Sequence, residues 1–233
     1  MTGQSSQPDQ RPMSGRAGAG GHRRPRSDLH RCLRDATKAL HHRLDHHPLL
    51  SALVRPGLTI DRYGDALEAL HGVFAGAEPV IEDFLAVRPG LFDYRSRRKL
   101  PALQADLAAL GRCPAPRALR CPAPASVADL IGLLYTVEGT SMGACHIRRH
   151  LCRQGWDGRL PMRFLTADPD RTHGAWAEFL SFADGACAPG DHARAARMAA
   201  AVFQAAIRHL DGSRPPSSGD RDRDRDRDRT VSS

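Results

Sequence analysis

VADLIGLLYTVEGTSMGACHIRRHL, residues 127–151, carries the clearest helical signal in the chain. Ser126 ahead of it is a good N-cap and Gly155 and Gly158 follow it, so the pattern predicts one long helix. Asp129, Glu138, His146, Arg148 and Arg149 interrupt its apolar residues well before the roughly eighteen that a membrane span needs. Gly139 and Gly143 sit four apart in its middle, where each is about 1 kcal/mol less favourable than alanine. Two uses of such a pair stand open. Close helix–helix packing is the commoner one; the other is a flat group pressed against a backbone that carries no side chains.

Around this helix the composition points the same way. Of 233 residues 41% are apolar. Alanine and leucine are abundant while Ile, Val, Tyr and Thr are sparse, which favours helix over strand. Further helices are expected from about Asp28 to Asp45, ending near His47-Pro48, and from Ile60 to Leu85 behind the N-cap Thr59. A weaker one covers about Ser96 to Leu110, another Thr172 to Gly185, and a last one runs from Asp191 to Asp211-Gly212. No internal repeat is visible, so the expected fold is an all-α, single-domain bundle over 28–212. Residues 1–27, rich in Gly, Ser, Gln, Pro and Arg, and 213–233, with five Asp-Arg repeats, lack the composition for a core and are expected to be a disordered basic arm and a disordered tail.

The formal charge of +8 is unevenly placed: residues 1–31 hold six arginines against two aspartates. The folded part is therefore only mildly basic, which argues against nucleic acid as a partner and suits docking of an acidic protein. Six cysteines occur without a C-x-x-C pair, and no N-terminal apolar run resembles a secretory segment. Reduced thiols and a cytoplasmic location follow, with no membrane partner.

In the first helix, Arg34, Thr37 and His41 are three and four residues apart, and seven residues is nearly two turns, so all three project in nearly one direction. A neutral imidazole can ligate iron and a cation two turns away can meet a carboxylate of the same ligand, although a lone histidine beside an apolar stripe is more often packed or solvated. His42 and His46, four apart, form an incomplete chelating pair. His146 and His150 are a second such pair, but Arg148 and Arg149 beside them read better as a docking face.

Taken together, Ala36-Thr37-Lys38-Ala39-Leu40-His41, the run from Tyr63 to Phe74 with Glu78 beyond it, and Tyr135-Thr-Val-Glu-Gly-Thr-Ser-Met-Gly143 resemble the heme oxygenase family, particularly its bacterial, phytochrome-associated branch. The similarity covers about Leu29 to Leu210. It implies a heme-oxygenase-like helical fold and an enzyme that cleaves heme with O2 and electrons from a ferredoxin or flavin reductase, giving biliverdin, Fe2+ and CO. Heme b is then substrate and cofactor together, and a bacterial phytochrome is a candidate acceptor of the biliverdin. The resemblance assigns the iron to His41, contacts with heme to Arg34, Thr37, Tyr135, Gly139 and Gly143, and the oxygen-activating side to Gly139, Thr140, Ser141 and Gly143.

Two departures stand out. Ala144 replaces a second glycine and is expected to tighten the pocket on the oxygen side, and Thr140 replaces the aspartate of the animal enzymes. Ala144 keeps in play a heme carrier without turnover on the same fold. A helical di-iron oxygenase needs two Glu-x-x-His pairs, and only Glu68-x-x-His71 occurs.

Overall fold

The computed structural model describes residues 27–213, without 115 and 166–168 and without the side chains of 169–171; of the two expected disordered tails only the inner ends, Ser27 and Ser213, are described, and both cap helices, while the rest lies outside these residues. Among the described residues seven α-helices follow one another: α1 Asp28–Asp45, α2 Pro48–Ser51, α3 Ile60–Ala86, α4 Leu100–Ala109, α5 Val127–Arg153, α6 Pro169–Ala186 and α7 His192–Gly212. The described residues contain no strand. No helix among them is long and apolar enough to cross a membrane.

Local chemistry sets the helix starts. Ser27, Thr59 and Ser126 each accept a hydrogen bond from the backbone three residues on, satisfying a donor that the first turn leaves open. Asp191 precedes α7 but makes no such bond, and a 3-10 turn over Pro189–Asp191 leads into that helix instead. The third expected helix begins later than Ser96, because Arg95–Arg97 form a separate 3-10 turn and Pro101 suits only a first helical turn. The four-residue α2 is an element that periodicity did not reveal; His47 caps it and Pro48 opens it.

Helix α7 is the axis of the bundle. α5 and α1 both pack chiefly on it, α4 packs on α3, and α6 lies against α5. Fully buried Leu33, Tyr63, Phe74, Ile81, Leu103, Leu130, Leu134 and Phe179 join these helices in one core. At the start of α5, Arg194 of α7 grips Asp129 with both arms, at 2.8 and 2.7 Å, and holds that carboxyl below the usual carboxylate range. Gly132 lies against Ala195 and Met198, and Thr136 reaches the Ala199 carbonyl at 3.5 Å, so α5 and α7 ascend side by side in the same direction. At the common rise of about 1.5 Å per residue, the turn of α5 bearing Gly139 and Gly143 stands level with the Phe203 turn of α7.

Candidate active site

On α1 the apolar stripe Leu29, Leu33 and Thr37 is buried, while the residues around it turn outward. His41 is exposed, and its ring leans on Phe203 of α7 with centroids 5.8 Å apart. Its Nδ1 lies 2.8 Å from Asp45 Oδ2. A carboxylate only accepts, so this contact puts the proton on Nδ1 and leaves the Nε2 lone pair free. An imidazole held in this way has its ring direction fixed by the carboxylate. Asp45 is a residue that the sequence reading missed; the available signal was its place four residues after His41, one helical turn away.

The other two α1 candidates separate. Arg34 is half-buried and turns to its neighbour Asp35, at 3.0 Å. Thr37 is buried, and its hydroxyl donates to the Leu33 carbonyl at 2.8 Å, so it packs beneath the face that Arg34 and His41 present. His42 and His46 stack on one another, centroids 4.1 Å apart, and His46 Nδ1 donates to the His42 carbonyl, which spends the pair on closing the helix end. Among the described residues no group of three or more His, Cys, Asp or Glu can hold a metal ion. Glu68, half of the single Glu-x-x-His match, is taken by Arg112 at 3.0 Å, and its partner His71 is buried.

On α5 the glycines divide. A Cβ on Gly132 would run into the Ala195 carbonyl oxygen and stand 2.8 Å from Met198 Cβ. A Cβ on Gly139 or Gly143 meets nothing within 4 Å. Close packing therefore explains Gly132, and the pair singled out by the sequence faces open space. That space lies alongside the α7 turn whose Phe203 touches His41. The residues present thus fit a flat iron-bearing ligand: a free nitrogen on one side, and bare backbone on the turn of α5 level with its support.

Tyr135, one turn before Gly139, meets α1 and α6 through its ring. Its ring meets His30 of α1 at 6.2 Å and Trp176 of α6 at 5.7 Å, and His30 also meets Trp176 at 6.0 Å. The sequence reading named Tyr135 but not His30 or Trp176. Thr140 gives its hydroxyl proton to the Val137 carbonyl at 2.6 Å. Ser141 Oγ is buried with no protein partner. Ala144 corrects one expectation: it is only 4% exposed and belongs to the core, so it does not narrow the open glycine face.

No protein-family model matches the chain. It is 34% identical over 103 residues, 44% of its own length, to a heme oxygenase of Xanthomonas campestris pv. campestris, and in that match it spans 61% of the relative's length. In structure it is similar to the NO- and CO-bound heme oxygenase of Neisseria meningitidis, with a TM-score of 0.65, 22% identity, and 79% of this chain and 91% of that one covered. The helical fold is that of heme oxygenase. In sequence the likeness to a heme oxygenase extends over those 103 residues, and in structure it is a likeness of fold.

Proposed function

With that likeness as premise, we propose that the protein is a heme oxygenase, opening the macrocycle of heme with O2 and electrons to yield biliverdin, Fe2+ and CO. The observation that carries this reading is the pairing of a free His41 Nε2, set by Asp45, with an open glycine face on α5. When bound, the iron of heme supplies the oxidative chemistry, and the protein supplies position and electrostatics.

His41 holds the iron from the α1 side, and Asp45 keeps its tautomer and ring direction. Gly139 and Gly143, bare of side chains, would let the α5 backbone approach the heme closely and limit the room left for oxygen. Arg34 is within the helix face needed to pair with a propionate once it releases Asp35. Tyr135, set against His30 of α1 and Trp176 of α6, bounds the ligand on that side. Thr37 contributes by fixing the α1 backbone from beneath. Thr140, whose oxygen keeps its acceptor lone pairs, orders polar atoms near the glycines, while the buried Ser141 hydroxyl stands on the Glu138 side of α5 and takes no part on that face.

Electrons come from a ferredoxin or a flavin reductase docked on the basic end of α5, where His146, Arg149 and Arg153 are exposed. The biliverdin passes to a bacterial phytochrome.

Hemin titration followed by ascorbate tests the reading. Turnover removes the Soret band and raises a broad biliverdin band toward the red; a stable Soret band would instead make the protein a heme carrier. His41→Ala should bind hemin without a histidine-ligated ferric spectrum, and a wild-type spectrum in that variant would sink the assignment of the ligand.

A further inference from the structure

One charge lies buried immediately before the open glycines. Glu138 is 3% exposed, and its Oε2 accepts from Arg97 Nη1 at 3.1 Å. The same guanidinium donates to the Ala175 carbonyl at 2.9 Å and to Glu178 Oε2 at 2.7 Å, both on α6. It also lies 4.9 Å over the Phe92 ring, and only 11% of the Arg97 side chain meets solvent. A single planar fork thereby ties the turn over Arg95–Arg97 to α5 and α6, a geometry that a lysine's point charge does not reproduce.

The turn that carries Arg97 is itself anchored. Glu78 of α3, wholly buried, accepts from the backbone N–H groups of Lys99 and Leu100 and from the Tyr94 hydroxyl. Arg97 thus reaches α5 from a fixed base. It reaches the side of the helix that the glycines do not use: at about 100° per residue, Glu138 stands about 100° round the helix from Gly139 and about 140° from Gly143. Ser141, three residues after Glu138, is on that same side, and both its Oγ and Glu138 Oε1 are buried without a protein partner. Burial pushes the Glu138 carboxyl up while Arg97 pulls it down.

Two mid-helix glycines weaken the helix by about 1 kcal/mol each relative to alanine, so the segment with the open face is the one most ready to bend. Burying an ion pair there gains little stability against its desolvation, but it fixes one arrangement, because the Glu138 carboxylate is held by a direct bond from the Arg97 fork. We propose that Arg97 is a positioning residue: by holding Glu138 and α6 from behind, it sets where the open glycine face of α5 stands. Only the identity of the ligand gripped there rests on the heme oxygenase reading.

The test compares Arg97→Gln and Arg97→Lys with the wild type. In ligand-free protein, amide hydrogen exchange over residues 138–144 should rise by about tenfold in Arg97→Gln, with α1 and the first half of α7 within about twofold. Arg97→Lys should fall between the two. In hemin-loaded protein, Arg97→Gln should spread the biliverdin product over more isomers while hemin affinity stays within about threefold. Unchanged exchange at 138–144, or an equal rise throughout the bundle, would overturn the proposal. Should Arg97→Gln fail to fold, Arg97→Lys decides alone: a local rise supports the proposal, and wild-type exchange overturns it. If the wild type binds no hemin, the heme reading fails, while the exchange result still judges Arg97.

Discussion

In the first half of α5, Gly132 lies under α7 so closely that a methyl group would strike the Ala195 carbonyl; seven residues on, Gly139 has nothing within 4 Å of where its Cβ would be. Seven residues is nearly two turns, so both glycines point to almost the same side of one helix. What differs is the cover. α7 follows α5 closely as far as Thr136 and Ala199, and beyond them Gly139 and Gly143 face open space beside the turn where Phe203 supports His41. A glycine pair in a helix is therefore no guide to its use until the neighbouring helix is placed.

Substitutions at the two kinds of glycine separate them, and the largest effect is expected on the open side. If the proposed site is right, Gly143→Leu should lower single-turnover heme cleavage by about a hundredfold or more, since its side chain would fill the space proposed for oxygen, while hemin affinity falls far less. Cleavage at the wild-type rate would show that the face serves something else. On the closed side, Gly132→Ala should destabilise the ligand-free protein by about 1–3 kcal/mol in denaturant titration, because the clash is with the α7 backbone and no side chain can yield to relieve it. A neutral result would mean that α5 and α7 are not so closely seated.

The other closed seam, where His209 of α7 presses on Gly72 of α3, offers a pH test. Burial lowers the pKa of both His71 and His209 below the ordinary value of 6.5. The folded state thus favours the neutral rings. Its advantage is complete above pH 6.5 and is lost as the pH falls through that value toward the lower folded pKa values. Denaturation midpoints should drop between pH 7.5 and pH 5.5, and His71→Phe should drop less; parallel curves would contradict the direction of the shift. The smallest effect is expected for Gly143→Ala, which adds a methyl group into open space and should stabilise the ligand-free protein by up to about 1 kcal/mol. A loss of stability there would place Gly143 against a neighbour.

Much of the bundle was legible along the chain, since apolar spacing and the caps Thr59 and Ser126 are local and act within a turn or two. The short α2 was not legible, because four residues carry too little periodicity to read. The His41 motif and the glycine run were legible as patterns that resemble a family. Asp45, His30 and Trp176 were not, because their roles depend on which atoms they meet. The placing of Ala144 at the rim of a pocket failed for the same reason: sequence gives an angle round the helix, and the core reaches round to that angle.

The helical class, the starts capped by Thr59 and Ser126 and the chemistry available at His41, Arg34, Gly139 and Gly143 follow from the sequence alone, because propensity, capping and side-chain type are properties of short stretches. Only the tertiary structure decided that Gly132 packs while Gly139 and Gly143 stay open, that Asp45 frees His41 Nε2, and that Arg97 reaches across the chain to Glu138. Each of these depends on distances between atoms that the folded chain brings together, and spacing along one helix does not encode how far a neighbouring helix lies from it.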